Sequence, residues 1–179
     1  VWWGITEPSP KNYRWQGYET VFNIMRNKGL KIIPVFSFHQ CGGSVGDYVN
    51  IPIPSFVWQG ASQPHFIDSY GNKEVAYISF SYDNVKIGPN NERTPLEMYN
   101  DWMTAFKVQF NSYIEDGSII EIEVGVGPCG ELRYPSYRQP PWSYPGCGQF
   151  QCYDSEYFIS TKALDSSSAS VTTPRYTFA

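Results

Sequence analysis

Long apolar runs and an excess of positive charge are both missing from this 179-residue chain. No apolar run approaches the roughly 20 residues that a membrane-spanning helix requires. The formal net charge of −4 provides no basic surface for a phosphate backbone or for an anionic membrane. The composition therefore argues against both nucleic acid and membranes as partners.

Paired cysteines and glycosylation signals are missing too. None of the four cysteines belongs to a Cys-x-x-Cys pair, and the spacing of Cys147 and Cys152 is only a weak zinc signal. There is no Asn-x-Ser/Thr sequon. We therefore expect Cys41, Cys129, Cys147 and Cys152 to be free thiols, favour a reducing compartment, and assign no metal or other cofactor.

Aromatic residues are what the chain has in excess. It contains six Trp, fourteen Tyr and eleven Phe. Rings that line a cleft can hold sugars and other planar, half-apolar ligands, because each ring has a broad apolar face. A tyrosine-rich surface without a ligand is the ordinary alternative, and composition leaves both interpretations open.

Segments with strand and helix character alternate along the chain. Apolar sequence at 1–5, 30–38 and 119–124 predicts strands, and the run 30–38 suits a parallel strand buried on both faces. Helical spacing of apolar residues predicts helices over 15–28 and 94–116. This alternation predicts a parallel sheet, either doubly wound or closed as a (β/α)8 barrel. No Gly-x-Gly-x-x-Gly or P-loop signature is present, so we favour the barrel.

The start of the second helix is the most specific local signal. Thr94 is placed as the N-cap, Pro95 as the first helical residue, and Glu97 completes a capping box. Gly117 is expected to end this helix.

The connection from 48 to 93 is irregular in sequence. Only one short strand or hairpin, over 75–82, is predicted there. A connection of this length is either functional or disordered. Its aromatic residues argue that it is packed and functional; they are Phe56, Trp58, Phe66 and Tyr70.

Three stretches follow predicted strand ends: 3–7, 39–47 and 127–137. In parallel α/β folds such stretches meet at one edge of the sheet, where ligands bind. The last stretch carries Glu131 among glycines. Its apolar neighbours are expected to form a wall that favours the protonated carboxyl group of a general acid; they are Leu132, Tyr134 and Tyr137.

Ordinary interpretations compete at every candidate position. Glu131 is equally well a helix N-terminal acid or an ion-pair partner of Arg133. His39 alone is typical of a core histidine, and Asp47 alone of a turn. Two further carboxylates, Glu121 and Glu123, share one strand face and are either a second site carboxylate or part of a structural network. Ser37 with His39 suggests a serine hydrolase, but no Gly-x-Ser-x-Gly elbow is present.

Several motifs together carry a resemblance to a known family. They are Val1-Trp-Trp-Gly4, Ser37-Phe-His-Gln-Cys-Gly-Gly-Ser-Val-Gly-Asp47, Asn50-Ile-Pro-Ile-Pro54, Gly125-Val-Gly-Pro-Cys-Gly-Glu-Leu-Arg-Tyr-Pro-Ser-Tyr137 and Gln149-Phe-Gln-Cys-Tyr153. From Val1 to about Tyr153 the chain resembles the β-amylases. The resemblance implies a partial (β/α)8 barrel of about three strands with their helices and a long inserted loop. It also implies an inverting exo-hydrolase that releases maltose from the non-reducing ends of α-1,4-glucans such as starch.

The resemblance also implies roles for individual residues. Glu131 falls on the general acid, Asp47 on the acidic residue of a flexible lid, and His39 on a substrate-binding histidine beside that lid. A family aspartate would lie before Val1. The second carboxylate, which inversion needs roughly 6.5–9.5 Å from the first, is expected beyond residue 179. The isolated chain is therefore expected to be inactive.

The domain organisation follows from the same resemblance. Residues 1–159 are interpreted as part of a catalytic barrel, and residues 160–179 as a divergent tail whose polar, repetitive composition predicts disorder. The chain looks like a fragment cut from a longer protein, because it begins inside a strand and offers three barrel strands. The alternative function is an inactive glucan-binding or regulatory remnant that kept the aromatic cleft.

Overall fold

The structure, a computed structural model, describes residues 1–42, 48–137 and 146–154. Asp47 and the proposed tail, 160–179, lie outside these ranges. The helices are α1 (Trp3–Thr6), α2 (Gln16–Asn27), α3 (Pro95–Gln109) and α4 (Asn111–Glu115), and the strands are β1 (Val35–Ser37), β2 (His65–Ile67), β3 (Lys73–Ile78) and β4 (Glu123–Gly125). Short 3-10 turns occur at Ser55–Trp58, Phe80–Tyr82, Pro89–Asn91 and Pro128–Gly130. Within the described part, no helix has the length and apolar character needed to cross a membrane.

Three chain segments lie side by side in parallel. Strand β1 pairs with β4, so that Ser37 stands opposite Gly125. On the other side of β1, Trp2 forms a parallel bridge with the same Ser37. Helix α2 connects the first segment to the second, and α3 lies between the second and the third. The predicted parallel arrangement of strands joined through helices is confirmed.

The strands are shorter than the sequence predicts. Trp3–Thr6 is a helical turn and not a continuation of a strand. Regular pairing of the second segment is limited to Val35–Ser37, with a separate bridge between Ile32 and Ile119. Pro34 stands between these two pairings, and because it has no amide hydrogen it interrupts the ladder of hydrogen bonds.

The two faces of the parallel sheet differ, so the prediction that 30–38 is buried on both faces is wrong. Phe36 and Phe38 are buried, whereas Ile33 is 45% and Val35 is 44% exposed. The helices pack on the side of Phe36, and no element of the described part covers the opposite side. Further exposed apolar side chains from 119–124 belong to the third segment; they are Ile120, Ile122 and Val124.

Aromatic side chains fill the space between β1 and helix α3. Trp102 and Phe106 are fully buried, and the ring of Phe36 lies 4.9 and 4.7 Å from theirs. The indole Nε1 of Trp102 donates to the hydroxyl oxygen of Thr6 at 2.8 Å, which satisfies the buried donor. This core fixes β1 and therefore the position of the residues that follow it.

The predicted capping box at the start of α3 is confirmed. The Thr94 hydroxyl accepts from the Glu97 amide at 3.2 Å, and the Glu97 carboxylate accepts from the Thr94 amide at 2.8 Å. The helix predicted to reach Gly117 is divided at Phe110, which is fully buried and leaves the helical conformation.

The long connection contains a hairpin, but it lies over 65–78 and not over the predicted 75–82, where residues 80–82 form a 3-10 turn. Strands β2 and β3 pair antiparallel, and the turn between them is closed by the carboxylate of Asp68, which accepts from the amides of Tyr70 and Asn72 at 2.8 Å. Phe56 and Phe66 are 3% and 0% exposed. The prediction that this connection is packed is confirmed for these residues, while Tyr70 lies at the exposed turn.

Candidate active site

The loop that follows β4 reverses direction within a few residues. Gly127, Cys129 and Gly130 all have positive φ angles of 78, 55 and 81°. The amide of Gly130 donates to the carbonyl of Gly127 at 3.1 Å, and the amide of Glu131 donates to the carbonyl of Pro128 at 2.9 Å. These turns keep Glu131 close to the C-terminal end of the strand.

This loop rests directly on the residue that follows β1. A Cβ atom added to Gly130 would lie only 3.1 Å from Cε1 of His39. On its other side, a Cβ atom on Gly125 would lie 3.1 Å from the Cα atom of Gly130. The structure therefore brings the His39 and Glu131 stretches together at one edge of the sheet, as the parallel arrangement predicts.

His39 has an unusual environment for a core histidine. Its ring packs edge-on against Trp2, with the ring centroids 5.1 Å apart. Its Nδ1 atom is buried and has no hydrogen-bond partner among the described residues. Desolvation by burial lowers the pKa of His39, so the neutral imidazole is favoured. A neutral ring of this kind can exchange hydrogen bonds with an uncharged ligand such as a sugar hydroxyl.

Glu131 is exposed and paired. Its side chain is 65% exposed, and Nε of Arg133 donates to its Oε2 at 2.5 Å. That hydrogen bond is the largest cause that raises the pKa of Arg133. The ion-pair interpretation of Glu131 is therefore confirmed, whereas the helix N-terminal interpretation is wrong, because Glu131 follows the 3-10 turn Pro128–Gly130.

The apolar wall expected around Glu131 is not formed. Leu132 and Tyr137 are 51% and 54% exposed. Tyr134 packs instead against the rings of Phe66 and Phe80, at 5.8 and 5.9 Å. The expectation was wrong because the ring of Tyr134 packs against the hairpin region, while Leu132 and Tyr137 stay exposed.

The stretch 3–7 does not join the site, contrary to expectation. Glu7 is fully buried, where its carboxylate accepts from the indole of Trp3 at 2.6 Å and pairs with Arg93 at 3.3 Å. A buried carboxylate needs such partners, so Glu7 belongs to a structural network. Trp2, which contacts His39, is the part of this region that borders the site.

The remaining candidates are distributed as follows. Glu121 and Glu123 are exposed, and Arg133 pairs with Glu131 and with neither of them. Asp47 lies outside the described residues.

The four cysteines are free thiols. In the ranges that the structure describes, no group of three or more His, Cys, Asp or Glu side chains is arranged to hold a metal ion.

Two residues near the loop were not predicted from the sequence as part of the site. The hydroxyl of Tyr77 lies 4.0 Å from Sγ of Cys129, and Phe80 borders Gly127 and Tyr134. Both come from the hairpin region, about 50 residues before the loop. Their aromatic character was the only available signal, and it did not distinguish them from the other rings.

Adjacent parallel strands that end in a carboxylate loop and a histidine loop have the layout of an α/β enzyme site. Residues 1–172 match glycosyl hydrolase family 14, and the chain belongs to that family.

The similar proteins are β-amylases. "Beta-amylase 2, chloroplastic" of Arabidopsis thaliana is 48% identical over 166 residues, which cover 90% of this chain and 30% of that protein. The β-amylase of Glycine max is 45% identical over 159 residues, which cover 86% of this chain and 32% of that protein. The crystal structure of the catalytic domain of β-amylase from Paenibacillus polymyxa superimposes with a TM-score of 0.76 at 32% identity, over 94% of this chain and 39% of that one. The chain thus spans about a third of the length of the curated relatives it matches.

Proposed function

We propose that this chain is part of an inverting exo-acting glycosidase that releases maltose from the non-reducing ends of α-1,4-glucans such as starch. Glu131 is the general acid, His39 binds the substrate, and Asp47 belongs to the lid. The three parallel segments are part of a (β/α)8 barrel. We also propose the division into a catalytic part, 1–159, and a divergent tail, 160–179.

One observation carries this proposal most directly. The Glu131 loop and His39 are in contact at the C-terminal ends of neighbouring parallel strands, within the segment that matches the family. A carboxyl group and a neutral imidazole at one edge of a sheet are suited to protonate a glycosidic oxygen and to bind sugar hydroxyls.

In the proposed reaction, this chain carries out one proton transfer. Glu131 donates its proton to the leaving glycosidic oxygen as the bond from C1 breaks. Water attacks C1 from the opposite face and loses a proton to a second carboxylate. We propose that this second carboxylate lies outside these 179 residues and that the chain alone does not hydrolyse glucan.

The contact between Glu131 and Arg133 has to change when substrate binds. An opposite charge favours the ionised carboxylate, whereas a general acid must hold a proton. Bound sugar rings would displace the water around the exposed carboxyl group, and this desolvation favours the protonated form. Hydrogen bonds of catalytic groups commonly reach their working geometry only in the substrate complex.

The proposal is tested by the first product that the full-length gene product makes from maltopentaose. Proton NMR recorded during the first turnovers should show maltose in the β configuration. Maltose in the α configuration, or cleavage inside the chain, would contradict inverting exo-hydrolysis. Binding of soluble starch without release of reducing sugar would instead support the glucan-binding remnant.

A further inference from the structure

Phe80 occupies a gap beside the Glu131 loop. It lies in the 3-10 turn Phe80–Tyr82, directly after the hairpin. A Cβ atom on Gly127 would lie 2.9 Å from Cζ of Phe80 and 2.6 Å from the carbonyl oxygen of Glu131. The absence of a side chain at Gly127 therefore lets the edge of the Phe80 ring meet the loop backbone where it approaches Glu131.

The same ring also contacts the far end of the loop. Its centroid lies 5.9 Å from that of Tyr134. Phe66, which is fully buried, packs edge-on against both rings, at 5.3 Å from Phe80 and 5.8 Å from Tyr134. Edge-to-face contacts between three rings restrict the rotation of each of them. The contacts with Phe66 and Tyr134 therefore restrain the Phe80 ring, while the edge of the ring contacts the loop backbone at Gly127.

The loop is consequently enclosed from two sides. On one side Phe80 contacts Gly127, four residues before Glu131, and Tyr134, three residues after it. On the other side His39 contacts Gly130. The hairpin adds a further contact, between the Tyr77 hydroxyl and Sγ of Cys129.

We propose that Phe80 is a positioning residue for Glu131: its ring, fixed by Phe66, determines the position and orientation of the loop that carries the carboxyl group. This inference rests on the proposed role of Glu131 as general acid. Phe80 touches no reacting atom, so its effect is confined to the step in which a proton is delivered. Displacement of a catalytic group by about 1 Å can reduce a rate by roughly 100-fold.

The test compares substrates that differ in their need for a proton. Maltopentaose has an alcohol leaving group that requires protonation, whereas α-maltosyl fluoride releases fluoride, which leaves with little such help. The variants are made in the full-length gene product: Phe80→Leu, Glu131→Gln as the reference, and Phe56→Leu as the matched control. Phe56 is a buried ring of the same connection that packs against Trp3.

The expected pattern is selective. Glu131→Gln should lower kcat on maltopentaose by about 10²–10⁴-fold and affect the fluoride far less. Phe80→Leu should lower kcat on maltopentaose by roughly 10- to 100-fold, with KM and the turnover of the fluoride within about twofold. Phe56→Leu should lower the melting temperature and leave both turnovers per folded molecule unchanged.

Each other outcome is informative. If Phe80→Leu slows both substrates equally, or neither, the positioning role is overturned while a selective Glu131→Gln leaves the general acid in place. If Glu131→Gln is not selective, the proposed function itself fails. Phe80→Met, which conserves more of the volume, is made in parallel in case Phe80→Leu does not fold. A folded Phe80→Met enzyme without the selective loss would equally overturn the inference.

Discussion

The core around Trp102 and the loop around Glu131 are built in opposite ways. Trp102 is fully buried, and its ring lies within 5.4 Å of the rings of Trp15, Phe36 and Phe38. Glu131 is 65% exposed, and its backbone is positioned by contacts at glycines. In the core, many rings together hold β1 in place. In the loop, each single contact affects the position of the Glu131 carboxyl group.

This difference suggests that stability and catalysis can be separated by mutation. A change in the core removes buried apolar contacts and should reduce the free energy of unfolding without altering the chemistry of the molecules that remain folded. A change at the loop removes few contacts but moves the carboxyl group. The following predictions test this separation in the full-length gene product.

The largest effect on stability is expected from Trp102→Ala. It opens a cavity in the core and leaves the Thr6 hydroxyl without its indole donor, so the free energy of unfolding should fall by about 3–5 kcal/mol. Urea unfolding measures this loss. The control is Val108→Ala in the same helix, which is 75% exposed and should change stability by less than about 0.5 kcal/mol. Equal losses in the two variants would show that Trp102 does not anchor α3.

A smaller effect on stability, but a large one on turnover, is expected from Gly130→Ala. The new methyl group would stand 3.1 Å from His39 at a φ of 81°, so kcat on maltopentaose should fall roughly 10- to 100-fold. The left-handed conformation should also cost about 1–2 kcal/mol of stability.

Gly29→Ala is the matched control for this change. Gly29 has a similar φ of 69°, but a Cβ atom there would meet nothing within 4 Å. It should lose a similar amount of stability and keep its kcat. If both glycine variants lose turnover alike, backbone strain and not the contact with His39 explains the result.

Much of the scaffold was predictable because local signals coincide with the final packing. The capping box at Thr94 is encoded within four residues, and the helix it starts buries the apolar stripe that includes Trp102 and Phe106. The contact between the His39 and Glu131 stretches followed from topology, since neighbouring parallel strands end at the same edge.

The features that could not be predicted depend on the direction of side chains or on contacts between residues that are distant in the sequence. The apolar residues beside Glu131 were visible, but the backbone angles that turn Tyr134 toward Phe66 were not. The burial of Glu7 depends on Arg93, 86 residues later, and the contact of Phe80 with the loop depends on Gly127. No local pattern encodes such pairs, because loop conformation and tertiary packing decide them.

The most direct test of the account is Glu131→Gln in the full-length gene product, measured for turnover of maltopentaose and for glucan binding. Glu115→Gln, an exposed change at the end of α4, is the control and should behave as the unmodified enzyme. We predict that Glu131→Gln lowers kcat by about 10²–10⁴-fold and leaves the dissociation constant for glucan within a few-fold, because the substitution removes the proton donor and retains the shape. Turnover within tenfold of the unmodified enzyme would contradict the assignment of Glu131 as the general acid.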